Sequence, residues 1–364
     1  MKLTVIILTF NEALHIERCI RSAQQVSHDI LVVDSGSTDD TVALAERQGA
    51  RVLHHAFTTH AAQMNWALTQ LDTSTEWVLR MDADEYMDEV LVASIQTALP
   101  STQAHGLYVQ RRMIFQGRDI RFGLVYPVNI LRLFRRGHGR CMDRWMDEHV
   151  EVAGPTAVLR GTMYDHNLRS LTWWTAKHNR YASLEAVEQL NLKHRFLRST
   201  GDAHAQERLD FSVKRWLKHQ VYGRLPPGVR AMAYFLFRYV LALGFLDGKA
   251  GTAFHVLQGG WYRYLVDAKV AEVERYMRDH RCDIATAVEQ VLTDGGGHVT
   301  GVRTRRGVFH AEQVYVNASP HYAAGNLFGE DVALEDTVSR LAALKPARST
   351  TAVYLVTDVD PSTL

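Results

Sequence analysis

Over the first hundred residues, short apolar runs alternate with amphipathic stretches. Leu3 to Phe10 is a continuous apolar run rich in Val and Ile, the pattern of a buried strand. Asn11 breaks it and is expected to cap the first helix. Glu12 to Ala23 then places Leu14, Cys19, Ile20 and Ala23 near one helical face. Asp29 to Asp34 predicts a second strand running into the polar turn Ser35 to Asp40, with several candidate N-caps. Thr41 to Gln48 predicts a helix stopped by Gly49. Arg51 to His54 is a third strand, Thr59 to Leu71 a helix, Trp77 to Met81 a further strand, and Glu89 to Leu99 a helix ending before Pro100. Such alternation with short links predicts an α/β domain with a parallel sheet covered on both faces. Every strand then points its carboxyl end to one edge. Asn11, Asp34 and Asp82 converge there, where open α/β sheets bind ligands.

The pattern changes further along. Gly106 to Phe115 and Val128 to Phe134 read as strands. Between them, Gln116 to Pro127 offers Arg118, Arg121 and Tyr126, either as a loop closing on a diphosphate or as a solvated connection. Ser170 to Leu190 reads as a helix whose Trp173, Trp174, Lys177, His178, Arg180 and Tyr181 suit a glycan or phosphate, or simple packing. Lys214 to Tyr222 is aromatic and basic. Ala231 to Leu246 is apolar except for Arg238 and is too short to span a bilayer. It is either a helix lying in the membrane interface, flanked by Arg224, Arg230 and Lys249, or a buried core helix. From about Arg281 the texture becomes that of a small β-meander. Three regions are therefore expected: 1–165, a helical aromatic and basic region at 166–280, and a β-rich tail at 281–364.

Composition narrows the partners. The 41 basic and 40 acidic side chains leave a formal net charge of +1, which gives no whole-protein reason to expect nucleic acid. Cys19, Cys141 and Cys282 are isolated and lack zinc-ligand spacing, which favours a reducing compartment. Asn11 and Glu12 follow the first apolar run where a signal peptide would have small residues, so a strand fits better. The expected location is cytoplasmic, with peripheral attachment to the inner face of the cytoplasmic membrane.

The chemistry is concentrated at Trp77 to Met87, where an apolar run ends in Asp82, Asp84 and Glu85. Acids at the carboxyl end of a strand can hold a hard cation against a phosphorylated ligand, with Mg2+ and Mn2+ equally suited. Neither a P-loop nor a G-x-G-x-x-G follows the first strand, which excludes an ordinary P-loop or dinucleotide domain there. Glu85 is expected to begin or cap the next helix. Asp39 is a helix cap or a nucleotide contact; Gln63 and Asn65 are helix-surface groups or donor contacts.

Thr4 to Glu12, Val32 to Thr41, Gln63-Met64-Asn65-Trp66 and Asp82-Ala83-Asp84-Glu85 together resemble the family 2 inverting glycosyltransferases, in particular bacterial enzymes of lipopolysaccharide core, capsule or exopolysaccharide synthesis. The resemblance implies a GT-A fold with a mixed sheet and a nucleotide-sugar donor such as a UDP-sugar. It implies a glycan or lipid-linked acceptor. It makes Asp34 a contact of the nucleotide base, Asp82 a support of the ribose or metal region, and Asp84 the metal ligand. Thr9, Asn11, Glu12, Gly36, Ser37, Asp39, Gln63, Asn65 and Ala83 then line the donor pocket. Inverting transfer needs a base on the acceptor hydroxyl. The family's downstream acidic motif matches Asp147-Glu148, with Asp147 favoured. His149 orients an acid, binds metal or is structural, and Trp145 stacks on sugar or packs in the core. Val299 to Val302 and Val316 to Pro320 resemble a piece of the FAD-dependent amine oxidase and phytoene desaturase family. Without the dinucleotide fingerprint, that tail is not expected to bind FAD alone. A flavin oxidoreductase or bifunctional chain, and a non-catalytic sugar-nucleotide scaffold, are the alternative readings.

Overall fold

The structure is a computed structural model of the 364-residue chain. It describes residues 2–57, 59–142, 150–194 and 226–279, and the backbone of five strands beyond residue 287. Lys214 to Tyr222 and Arg224 lie outside the described residues. The chain packs as two compact units, Met1–Glu188 with Trp216–Lys269, and Gln189–Arg215 with Val270–Leu364.

In the first unit, β1 (Leu3–Thr9), β2 (Ile30–Asp34), β3 (Arg51–His54) and β4 (Trp77–Asp82) pair in parallel in the order β3-β2-β1-β4. Their links contain α1 (Ile16–Ala23), α2 (Thr41–Arg47) and α3 (His60–Thr69). Strand side chains alternate between faces, which explains the two apolar layers. Val5, Ile7, Val32, Leu79 and Met81 pack with Ile16 and Ile20 of α1. Ile6, Leu31, Val33 and Val78 pack with Ala61, Met64 and Ala67 of α3. The predicted stop at Gly49 holds, with φ 82°, and the helix expected from Thr59 starts there, the Thr59 side chain accepting from Ala62 N to cap α3. Asn11 does not cap α1. It sits at φ 54°, and its side chain accepts from Thr38 N at 2.8 Å.

The remaining strands of the sheet turn it from parallel to mixed. β5 (Glu85–Met87), α4 (Glu89–Ala98), β6 (Gly106–Phe115), β7 (Arg118–Ile120), β8 (Val128–Arg135) and β11 (Thr156–His166) follow, with the short β9 (Gly139–Cys141) and β10 (Val150–Val152) forming a separate pair. The sheet continues β4-β8-β6-β11-β5. Four strand spacings of about 4.8 Å would put β5 about 19 Å from β4 in a flat sheet. Yet only Ala83 and Asp84 separate the two strands, and three Cα steps reach at most about 11 Å. The sheet therefore curls. β8 pairs with β4 only along Trp77–Leu79, and β11 brings β5 back beside the end of β4. Glu85 consequently begins an edge strand and not a helix. The cap of α4 is Asp88, which accepts from Leu91 N at 2.8 Å.

Residues 226–279 form a broken helical layer: Val229–Leu236, a π-helical turn Phe237–Leu241, a 3-10 turn Gly244–Asp247, a helix Gly248–Phe254, a π-helical turn His255–Trp261 and a helix Tyr262–Asp279. Phe254 anchors this layer against Phe115 and Ile120. The layer also clamps the loop Gln116 to Pro127. Asp247 accepts from Arg121 N at 3.1 Å and Phe122 N at 3.0 Å, Arg238 Nε donates to Gly123 O, and Gly123 N donates to Ala242 O. Arg121 pairs with Asp119 and the Tyr126 hydroxyl bonds Gln110. The loop is thus held to the helical layer at Arg121 to Gly123, while Arg118 and Arg121 stay exposed. Among the described residues, no single helix is long and apolar enough to cross a membrane.

In the second unit, Lys193 and His194 both pair with Glu274. The tail contains the expected antiparallel meander, Val288–Thr293, Val299–Thr304 and Gly307–His310, and a second pair, Tyr315–Asn317 with Ala352–Tyr354.

Gly161 lies in an irregular stretch of β11 at φ 96°, where a Cβ would stand 2.2 Å from Leu91 N of α4. Gly137 has a similar φ of 81° but open space around it. Urea denaturation is expected to show Gly161→Ala losing at least about 2 kcal/mol through strain plus clash, and Gly137→Ala only about 1 kcal/mol from strain. Equal losses would show that α4 does not press on β11 here.

Candidate active site

The carboxyl ends of β1, β2 and β4 are in register, with Thr9 opposite Asp34 and Leu8 opposite Asp82. At β2, Asp34 is fully buried. Its carboxylate accepts from Gly36 N and Ser37 N, both at 2.9 Å, from Ser37 Oγ at 2.5 Å and from Thr9 Oγ1 at 3.3 Å. Burial works against its charge, but these donors, Ser37 foremost, hold it below the usual carboxylate range. Asp34 therefore shapes the turn that carries Gly36 and Ser37. His54, on β3, lies 3.4 Å away and is exposed. Ser37 Oγ also accepts from Asn11 N, and Gln63 Nε2 donates to Ser35 Oγ at 2.6 Å. Asp39 accepts from Thr41 N at 3.0 Å and Ala13 N at 3.2 Å. Burial opposes its charge too, yet the Thr41 bonds keep it lowered. Its observed work is to tie the second polar turn to the first.

The acid station lies where β4 ends. Asp82 is partly exposed and faces two guanidiniums, Arg132 Nη2 at 2.7 Å and Arg80 Nη2 at 3.4 Å. Arg132, on β8, is buried and also pairs with Glu85. Glu85 is 1 % exposed and accepts from Asp82 N at 2.9 Å. One cation therefore serves two carboxylates. Despite burial, Arg132 and Arg80 hold Asp82 far below the usual range. Burial and the Asp82 charge push Glu85 upward. Ala83 is buried beneath them.

Asp84 is positioned from two sides. Its carbonyl accepts from Arg18 Nη2 at 3.1 Å and His166 N at 3.1 Å, and its Oδ2 accepts from Asn167 Nδ2 at 3.0 Å. Arg18 reaches across to His166 as well. Asp165, opposite Glu85 in the sheet, has Arg111 at 3.9 Å and also feels the charge of Lys177. Burial and the charges of Asp84 and Asp82 push Asp165 up to about 6. Glu12 pairs with His15 at 2.5 Å and lies 3.8 Å from Arg169. Arg169 and Lys177 both stack on Trp173, at 4.7 and 4.9 Å from its ring centre. Burial disfavours the Lys177 charge, while Tyr181, Asp84 and Glu12 restore it. Trp174, in contrast, packs against Phe115 and stacks on His178.

These acids suit a divalent cation. Asp82 and Asp84 end and follow β4, and Asp165 lies opposite Glu85, raised by burial first and then by the charges of Asp84 and Asp82. Among the described residues no group of three His, Cys, Asp or Glu side chains could hold an ion alone. That is compatible with a cation held by one or two carboxylates and completed by phosphate and water.

Asp147, Glu148, His149 and Trp145 lie outside the described residues. The two ends of their segment are described. Cys141 pairs with Val150 across β9 and β10. Asn65 makes two bonds to the Cys141 backbone, donating to O at 2.8 Å and accepting from N at 2.9 Å. This is a structural pin where a donor contact or solvated group was expected. Cys141 Sγ is 3.8 Å from Arg80 Nη1, so Cys141 itself stands beside the Arg80–Asp82 pair.

Residues 4–168 match the model of the family described as glycosyl transferase family 2. The chain carries a family 2 glycosyltransferase domain. A glycosyltransferase of Rickettsia felis is 29% identical over 199 residues, covering 51% of this chain and 70% of that one. The lipopolysaccharide core biosynthesis glycosyltransferase LpsC of Rhizobium meliloti is 29% identical over 198 residues, covering 52% and 72%. Among solved structures, S. aureus TarS 1-349 in complex with UDP-GlcNAc aligns over 86% of this chain and 99% of its own, at 15% identity and a TM-score of 0.36. Glucosyl-3-phosphoglycerate synthase of Mycobacterium tuberculosis, in complex with Mn2+ and UDP, is 24% identical with a TM-score of 0.26. The alignment covers 30% of this chain and 44% of the synthase, less than half its length. These low scores carry no weight for the fold, which rests on the strand order: a curled mixed α/β sheet of GT-A type. The chain is thus placed among the glycosyltransferases, and nothing supports the flavin resemblance of the tail.

Arg18, Arg132, Asp165, Asn167 and Arg169 were not singled out from sequence. Arg132 had a signal, being one of two arginines, with Arg80, inside otherwise apolar strand runs. Removing Arg132 would leave Glu85 buried without its cation. Arg132→Met is expected to cost about 3–5 kcal/mol in urea denaturation, the usual cost of breaking a buried pair. A loss below about 1 kcal/mol would mean that Glu85 does not need Arg132.

Proposed function

We propose that this enzyme transfers a sugar, with inversion, from a nucleoside-diphosphate sugar to a glycan or lipid-linked acceptor of a bacterial surface polysaccharide. The family 2 domain supports donor class and stereochemistry, and the likeness to LpsC supports a lipopolysaccharide core acceptor. The observation that carries the reading is the placing of Asp82 and Asp84 at the carboxyl end of β4, in register with the strand ends that carry the turns built on Asp34 and Asn11.

Asp84 would hold the divalent cation, with Asp82 or Asp165 beside it. When bound, the cation would neutralise charge developing on the leaving diphosphate. Asp82 is already balanced by Arg80 and Arg132, so it is preset in orientation. The turn from Asp34 to Ser37 would receive the nucleoside. Asp147 is proposed as the base that takes the acceptor hydroxyl proton. The acceptor oxygen forms its bond to the anomeric carbon as the bond to the diphosphate breaks, and the electron pair leaves with the diphosphate. Cys141, a described residue shortly before Asp147 in sequence, lies beside Arg80, which supports this assignment.

Asp84→Asn is expected to lower transfer by at least about 10²-fold, the scale of lost charge stabilisation. Its melting temperature without ligand should stay close to that of the parent. Full activity in both Asp82→Ala and Asp84→Ala would sink the reading. Asp147→Asn is expected to bind donor normally but lose transfer by about 10²–10⁴-fold, with Glu148→Gln nearly unaffected. The reverse pattern would move the base to Glu148.

A further inference from the structure

Within the helical layer, the stretch from Val229 to Gly248 turns its charges inward and much of its apolar surface outward. From Val229 to Gly248 every exposed residue is apolar. The three charged residues of that stretch are all engaged inside. Arg230 pairs with Asp267, with Nε at 2.8 Å. Arg238 is buried on Gly123 O and Gln258, and Asp247 is buried on Arg121 N and Phe122 N. Met232, Leu236 and Val240, four residues apart, make a stripe, and Phe237 and Leu241 repeat the spacing beside it. Leu241 is 73% exposed, and Leu243, Phe245 and Leu246 at the corner are each nearly half exposed. Large exposed apolar patches mark interaction or membrane surfaces.

We infer that this face, from Val229 to Leu246, sits in the interface of a lipid bilayer with its corner at Leu241 to Leu246 pointing into the acyl region. Two further observations favour lipid over a protein partner. The backbone of the corner is bonded internally: Ala242 N to Phe237 O, Leu243 N to Val240 O, Leu246 N to Leu243 O, and Ala242 O to Gly123 N. Hydrocarbon demands this of irregular backbone, whereas water does not. A protein interface of this size would carry hydrogen bonds from side chains at its surface. Here the exposed side chains have none to offer. The helical runs Val229–Leu241 and Gly244–Asp279 meet at 69°, and only together reach the apolar length of a span, which suits shallow entry and exit. Behind the stripe, Ala231, Phe235, Val256 and Trp261 line an apolar crevice of about 250 Å³ that an acyl chain can fill. Exposed Lys249 comes directly after the face and can reach headgroups, as an interfacial flank requires. Arg230, expected as a second flank, is occupied by Asp267.

The surface is independent of the transfer reaction, so its test needs no substrate. The full chain is floated with vesicles of phosphatidylethanolamine and phosphatidylglycerol at about 1 M salt, where the Debye length is about 3 Å and charge attraction is screened. The chain is expected to rise with the vesicles. The double variant Leu241→Asp with Phe245→Asp is expected to lose at least about ten-fold in bound fraction by the cost of burying two charges, while Val90→Asp, on α4, behaves as the parent. Lipids brominated on the acyl chain are expected to quench tryptophan emission, and less so in Trp261→Phe. A parent chain that stays at the bottom of the gradient, or a double variant that floats equally, overturns the inference. So does absence of quenching, or a parent dimer in lipid-free buffer that the double variant converts to monomer without any lipid binding.

Discussion

Arg132 is the interaction on which the site depends. It stands on β8, between the strand that ends in Asp82 and the edge strand that begins with Glu85. Those two acids are three residues apart in sequence, but their strands lie four steps apart along the sheet order. The chain can join them only if the sheet curls, and a curled sheet buries Glu85. A buried carboxylate without a partner is costly, so the guanidinium that meets both acids makes the curl tolerable. The same cation leaves Asp82 with a fixed charge and a fixed orientation at a partly open edge.

The rest of the site is built around the same balance of charge. Arg18 from α1 and His166 N from β11 grip the Asp84 carbonyl, and Asn167 holds its carboxylate. Asp165 is raised by burial and by the charges of Asp84 and Asp82, with Arg111 and Lys177 opposing that shift. The polar turns after β1 and β2 are bonded to each other through Asn11, Ser37 and Thr38. The pocket floor is thus stiff before any ligand arrives, as preorganised stabilisation requires. The loop before β8 is held by the helical layer through Asp247 and Arg238, which ties the proposed membrane face to the catalytic domain.

The local part of this was readable from sequence. Alternating apolar runs, Gly49 and Thr59 placed the parallel strands and helices, because strand burial and capping are decided by near neighbours. Asp82 and Asp84 were found because acids ending an apolar run are rare. What depended on distant partners was missed. Glu85 looked like a helix-start acid, and only the return of β11 shows it as a buried edge residue. Asn65 looked like a surface amide, yet its partner Cys141 is 76 residues away. Asn11 looked like a helix cap, but its side chain serves the turn at Thr38 on the neighbouring strand connection.

The central claim is that the acid edge receives a diphosphate together with a divalent cation. Titration calorimetry of UDP into the full chain, with Mn2+ and then with chelator, tests it most directly. The account predicts binding at least about ten-fold tighter with Mn2+, a coupling of about 1.4 kcal/mol. Equal affinity with and without the cation would contradict it.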